Sequence, residues 1–220
     1  MKRSELLELL TANILSLEHE RPLLVAVDGY DAAGKSMLAK ELSEKLRGLG
    51  LNIIEASTDG FHNSRSTRYK RGKESPDGYY YDSFNYHMLK ELLLDPLKTG
   101  DLRYKTRQFD YITDKILATE YSEAASDSIL VFDGVFALRP ELLDYWDYSI
   151  YLYVDEQTSL KRGIERNPGE EETTEHRYNV RYLPGQLIYH KEADPKRHAS
   201  IVVDNNDPEN PTILRKPYSQ

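Results

Sequence analysis

Apolar residues recur along this chain in two rhythms, and their alternation predicts the architecture. Residues 4–19 carry Leu6, Leu10, Ile14 and Leu17 at helical spacing, with Ser4 placed to cap the first turn. "PLLVAVD", 22–28, is instead a short continuous apolar run, the pattern of a strand covered on both faces. The pair then repeats. A helix over 35–47 shows Leu38, Leu42 and Leu46 on one face and ends near Gly48, and "LNIIEAS", 51–57, is a second buried strand. A polar, glycine-containing and basic segment covers 58–81, followed by a helix from about 83 to 94 that stops before Pro96. "DLRYKTRQFDYITDK", 101–115, alternates and is rich in tyrosine and threonine, as in a hairpin or irregular excursion. Further strands are predicted at 128–134, 148–154 and 199–205, the last of the chain. A short helix follows Pro140, helices span 156–166 and 176–193, and 167–175 reads as a mobile loop. Strand and helix alternating in this way predict an α/β fold with a mostly parallel sheet.

Composition narrows the class. The 220 residues fit one domain with a small lid, and 39% hydrophobic with 30% charged residues suits a soluble protein with a core. No apolar run is long enough for a membrane span, and Glu5 and Glu8 interrupt the N-terminal leucines where a signal peptide would be apolar. The absence of cysteine excludes disulfides and thiolate metal sites, so the cytoplasm is the expected compartment. A net charge of −8 argues against nucleic acid as a partner. Within that acidic chain, "RSTRYKRGK", 65–73, is a basic island, readable either as a solvated loop or as a pocket for an anion.

The chemistry sits in "GYDAAGKS", which fits G-x-x-x-x-G-K-[ST] at Gly29, Gly34, Lys35 and Ser36. Glycines let the backbone from Gly29 through Tyr30, Asp31, Ala32 and Ala33 to Met37 wrap a phosphate group at a helix N-terminus. Lys35 would then reach the β- and γ-phosphates of ATP, and the Ser36 hydroxyl would bind Mg²⁺. Two acids complete the set. Asp133 ends the run "ILVF" and is placed to hold Mg²⁺ at a strand tip, and Asp59 lies just past the carboxyl end of the strand at 51–57. A carboxylate there can accept the proton of an attacking hydroxyl. Arg162 and Arg166 share a helix face, as do Arg177 and Arg181, and suit either phosphate or the neighbouring glutamates. Asp28, in the strand-to-loop turn, reads as structural, and the 17 tyrosines read as core or interface packing.

The ordered segments "GYDAAGKS", "STDGFH", "ILVFDGVFAL", "LKRGIER" and the "DN" after the last strand resemble the uridine kinase and phosphoribulokinase family of P-loop kinases. The likeness runs from about residue 20 to 207, with "RYKRGKESPDGYYYDSF" and "RYLPGQLIY" closest to uridine kinase-like bacterial proteins. It implies a P-loop NTPase fold with five parallel strands and flanking helices in one domain over 1–220, an acceptor-side insertion at 58–116 and a lid at 162–181. It implies ATP and Mg²⁺, with Asp59 as the acceptor's base, Asp133 at the metal, and Arg162 and Arg166 in the lid. It also puts Asn205 near the adenine, and Phe61, His62 and Tyr111 on the acceptor side.

Three features depart from the family. Uridine kinases carry glutamate at the position of Asp133; their uracil-reading hairpin histidine is replaced here, where Asp114 follows Thr113; and "NPGEEETTEH" stands in place of the usual arginine-glycine lid stretch. The expected function is ATP-dependent phosphorylation of a hydroxyl on a small metabolite, nucleoside-kinase-like. With the histidine missing, Arg65 and Arg68 make a carboxylate or phosphate acceptor such as pantothenate, glycerate or a sugar phosphate an alternative. A nucleotide-dependent switch or NTPase acting on a protein partner, and a catalytically idle relative, are the competing classes. Homo-oligomerisation stays open.

Overall fold

The computed structural model describes residues 1–215. The chain begins with α1 (Arg3–Leu15), β1 (Leu23–Gly29), α2 (Lys35–Gly48) and β2 (Ile53–Ser57). A 3₁₀ turn over Thr58–Phe61 leads to α3 (Arg65–Arg68), α4 (Pro76–Asp82) and α5 (Tyr86–Leu89). A π-helical turn, Lys90–Leu94, joins α5 to α6 (Asp95–Thr99). Then come β3 (Arg103–Tyr104), β4 (Phe109–Asp110), β5 (Lys115–Ile116) and β6 (Ser122–Glu123). These form two antiparallel ribbons, β3 with β6 and, within their span, β4 with β5. After β7 (Ile129–Asp133) and β8 (Tyr148–Tyr153) the chain is helical through α7 (Glu156–Glu165), α8 (Glu171–Arg177), a π-helical turn at Tyr178–Tyr182, α9 (Leu183–Ala193) and α10 (Pro195–His198). It closes with β9 (Ile201–Asp204) and β10 (Thr212–Arg215).

The main sheet runs β10-β9-β8-β1-β7-β2, parallel throughout except for β10 against β9. β1 lies inside it with every residue buried, which is why its sequence is continuously apolar rather than alternating. The sheet thus has six strands where the sequence leads to five. β10 is an edge strand that shows only exposed and half-buried positions, so it carries little apolar signal.

Other departures have local causes. The helix expected to stop before Pro96 continues through it. The backbone N–H of Asp95 reaches back to the Lys90 carbonyl in a π turn. The Leu92 carbonyl, which an α-helix would offer to residue 96, instead accepts from Lys105 N–H at 2.8 Å. The stretch read as a loop at 167–175 contains the start of α8. Its acids Glu171 and Glu172 occupy the first turn, and His176 with Arg177 the last, so the charge run complements a helix dipole. α1 is capped from Lys2, whose N–H donates to the Glu5 carboxylate at 2.8 Å, rather than from Ser4.

Two packing features set the platform for the site. Just past β7 the chain passes so close to the end of β2 that a Cβ on Gly134 would fall 2.2 Å from Thr58 Oγ1. On α9, His190 places Nε2 2.8 Å from the Tyr151 hydroxyl and its ring 4.9 Å from that of Tyr30. Burial, aided by Lys196 and opposed by Asp194, pushes the His190 pKa down to about 4.

Gly134→Ala is expected to lower the denaturant midpoint by the equivalent of ~1–3 kcal/mol, because Thr58 must move. His190 makes a second measurable difference. Its folded pKa is depressed, so the unfolded chain takes up the proton first on acidification. Its stabilisation is complete above about pH 6.5 and is lost as pH falls towards 4, by roughly 2–3 kcal/mol. Thermal unfolding across that window should show a shallower pH dependence in His190→Gln than in the wild type.

Candidate active site

Strand register brings the candidate residues together. Asp133 at the end of β7 pairs with Val27 of β1 on one side and with Ser57 of β2 on the other. The loop leaving β1, the acid ending β7 and the turn leaving β2 therefore meet at the carboxyl edge of the sheet, around a cavity of ≈ 930 Å³.

The loop is shaped by close approach and by left-handed backbone. A Cβ on Gly29 would fall 2.2 Å from the Leu152 carbonyl oxygen, and Ala32 and Gly34 have φ of 53° and 90°. α2 starts at Lys35 behind Gly34 without a side-chain cap, so its first-turn N–H groups lack an intrahelical acceptor. Gly34, Lys35, Ser36 and Met37 line the cavity there. That combination suits a phosphate chain at the positive end of a helix dipole. Lys35 Nζ donates to the carbonyls of Gly29 at 3.2 Å and Tyr30 at 2.6 Å. Burial pushes its pKa down, against the opposing charges of Asp31, Asp28 and Asp133.

The loop is braced from below and behind. Asp28 is fully buried and accepts from the N–H groups of Gly29 at 2.6 Å and Leu138 at 3.0 Å, and from the Tyr189 hydroxyl. Burial raises its pKa, with the Tyr189 hydrogen bond opposing. Asn205 is also spent on bracing. Its Nδ2 donates to the Ala33 carbonyl at 2.7 Å and its Oδ1 accepts from Arg3 at 3.3 Å. Arg162 donates to the carbonyls of Asn205 and Asn206 at 2.9 Å each, and the Ser159 hydroxyl to that of Asp31 at 2.7 Å. Arg3 and Ser159 carry no motif signal; only the fold reveals their roles.

Ser36 Oγ donates to Asp133 Oδ2 at 2.5 Å. Burial raises the Asp133 pKa, with this hydrogen bond opposing. Among the described residues no three His, Cys, Asp or Glu side chains cluster as a metal site. One hydroxyl and one carboxylate leave most coordination positions to phosphate oxygens and water, the arrangement Mg²⁺ favours. The donor set fits that ion.

Asp59 behaves oppositely to Asp133. Its carboxylate is 64% exposed, with Oδ1 3.4 Å from His62 Nε2. His62 Nδ1 lies 3.1 Å from the Ser83 carbonyl, which only accepts, so that nitrogen carries a hydrogen. The ring stacks on Phe84 at 4.5 Å. Partial burial works to raise the Asp59 pKa, but His62, Lys35 and Arg166 together hold it below its ordinary value. One acid of the cavity is thus kept ionised while its neighbour is pushed up.

Arg166 is the most exposed of the four arginines of the predicted lid, 162–181. It is 62% exposed, 3.8 Å from Asp31 and 3.4 Å from the Tyr178 hydroxyl. Arg177 lines the cavity beside Glu170, whereas Arg181 is buried and donates to the Lys73 and Ser75 carbonyls at 2.9 and 3.1 Å. On the acceptor side His62, Arg68 and Tyr111 line the cavity. Phe61 does not: it is fully buried beneath the 3₁₀ turn. Arg65 lies outside it, its N–H donating to Asp114 at 2.7 Å and its guanidinium to the Ile112 carbonyl at 3.4 Å. Gly29, Tyr30 and Ala33 form the underside of the loop rather than its face. The walls also hold Tyr69, Tyr79, Tyr178 and Tyr182, which sequence reasoning assigns to packing.

This geometry has relatives. The chain resembles the uridine kinase of Ligilactobacillus salivarius (strain UCC118) at 23% identity over 189 residues, 83% of this chain and 85% of that protein. It is 26% identical to the pantothenate kinase of Rhodopseudomonas palustris (strain BisB18) over 186 residues, 76% of this chain and 57% of that protein. The solved structure of a possible uridine kinase from Bacillus stearothermophilus shares the fold with a TM-score of 0.70, at 23% identity over 90% of this chain and 97% of that one. Residues 24–171, which contain the phosphate loop, Asp59 and Asp133, match the sequence pattern of the Phosphoribulokinase / Uridine kinase family. With well over half of its length matched in this way, the chain belongs to that family of small-molecule kinases.

Proposed function

We propose that this protein transfers the γ-phosphoryl group of ATP to a hydroxyl of a small diffusible metabolite in the cytoplasm. The observation that carries the reading is the ionised, exposed Asp59 in the same cavity as Lys35 and the Ser36–Asp133 pair. A nucleotide-dependent switch needs the lysine and the metal pair, but it has no use for a second carboxylate held ready to take a proton. Relatives named uridine kinase and pantothenate kinase agree with a small-molecule hydroxyl as acceptor.

In this reading the first-turn N–H groups of α2 and Lys35 hold the phosphates, Lys35 exchanging its loop carbonyls for phosphate oxygens. Ser36 and Asp133 would hold Mg²⁺, which when bound neutralises charge on the phosphate oxygens. Asp59 orients the acceptor hydroxyl and takes its proton as the new bond forms. His62, hydrogen-bonded through Nδ1 to Ser83, sets its ring beside the Asp59 carboxylate and helps to direct it. Arg166 faces the transferring group, while Arg162 works indirectly by fixing the 205–206 backbone. Positioning and electrostatics supply most of the rate.

ADP release with Mg²⁺-ATP and a panel of hydroxyl acceptors tests the reading, with Lys35→Ala as the blank. Asp59→Asn is expected to cut acceptor-dependent kcat by about 10²–10⁴-fold. The wild-type acid limb should lie below the ordinary aspartate range, because the charged form is the base and its pKa is held down. Undiminished turnover in Asp59→Asn would overturn the assignment of the base. Ser36→Ala should shift the Mg²⁺ dependence of turnover to higher concentration; an unchanged Mg²⁺ titration would remove Ser36 from the metal site.

A further inference from the structure

Building on the kinase reading, we propose that the acceptor carries an anionic group, a carboxylate or a phosphate ester, and that Arg68 reads it. The basic segment 65–73 carries five cations, and their surroundings separate them. Lys70 and Arg71 are paired with Asp82 at 2.9 and 2.7 Å. Arg65 lies outside the cavity, bound to the 112–114 turn. Lys73 is exposed and outside the cavity, so Arg68 alone of the five both lines the cavity and is buried, at 7% exposure.

Its charge is poorly compensated. Nη2 reaches the Tyr111 carbonyl at 3.3 Å and Asp114 Oδ1 at 3.4 Å, both long beside the ~2.7–2.9 Å of a strong charge-assisted bond. Asp114 Oδ1 is shared with the Arg65 N–H at 2.7 Å, which draws the carboxylate away from Arg68. Nε is buried without a partner. A buried cation is costly unless closely paired, and Arg68 lines the cavity in which the acceptor must sit. Asp59 does not supply that pairing, since the proposed reaction uses its carboxylate. A planar guanidinium matches a carboxylate or phosphate through two parallel hydrogen bonds.

The rival role is a clamp that fastens α3 to the 111–114 turn. Matched acceptors separate the two: pantothenate against pantothenol, D-glycerate against glycerol, ribulose 5-phosphate against ribulose, with uridine added. Each is assayed for ADP release with full-length wild type, Arg68→Gln and Asp114→Asn, and folding is monitored by thermal unfolding. The expected result is one pair in which the anionic member has a kcat/KM at least about a hundredfold above its neutral partner. Arg68→Gln should reduce that preference about tenfold or more, through KM, while Asp114→Asn preserves or sharpens it. Equal losses in both variants with the charge preference intact would leave Arg68 a clamp and overturn the proposal. Preference for uridine or any neutral member would overturn it as well, with the kinase reading untouched. No stimulation by any acceptor, with ATP still bound, would instead bring down the kinase reading and this proposal with it.

Discussion

Three parallel strands ending at one level are the constraint on which everything else depends. Because Asp133 pairs with both Val27 and Ser57, a strand-end carboxylate is fixed between the phosphate loop and the turn that carries Asp59. Changing this register by one residue would turn Asp133 towards the opposite face of the sheet and separate it from Ser36. The register is held by apolar burial: β1 is covered on both faces, and Gly134 lets Thr58 pack against the end of β7. The chemistry is therefore a consequence of core packing rather than of flexible loops finding one another.

Around that platform, on the proposed reading, the protein stiffens what would hold phosphate and leaves open what would meet an acceptor. Asp28, Asn205, Ser159 and, through Asn205, Arg3 and Arg162 all bind the loop backbone or its immediate supports. Such bracing keeps the left-handed residues Ala32 and Gly34 in place, so little reorganisation remains when phosphate binds. The acceptor side is built differently, from stacked aromatic rings, an exposed carboxylate and a buried arginine with weak partners. The two sides meet at Asp59 and Asp133, whose opposite pKa displacements follow from what touches them. Burial penalises charge on both; His62, Lys35 and Arg166 together outweigh it at Asp59, whereas the Ser36 hydrogen bond and Lys35 do not at Asp133.

Much of this was legible in the sequence because the strongest signals are local. β1, α2 and β7 announce themselves through apolar runs and glycine spacing, and the same stretches carry Lys35, Ser36 and Asp133. What escaped depends on distant partners. The helix passes Pro96 because Lys105, nine residues further on, takes the Leu92 carbonyl. α8 hides in an acidic run whose charges make sense only once its ends are known. β10 is an edge strand with no buried face to mark it. In the site, Phe61 sits in a motif yet faces the core, and Arg65 and Arg68 are equivalent by composition and share the 111–114 turn, yet only Arg68 is buried and lines the cavity. Burial and pairing, not residue type, distinguish them.

The central claim is a division of labour within one cavity: Lys35 and the loop hold the nucleotide, and Asp59 serves the acceptor. Calorimetric titration with Mg²⁺ and a non-hydrolysable ATP analogue examines that division directly. Wild type and Asp59→Asn should bind the analogue with the same affinity, and Lys35→Ala should bind it far more weakly. A loss in Asp59→Asn as large as that in Lys35→Ala would contradict the account, making Asp59 part of the nucleotide and metal site and leaving the acceptor without its base.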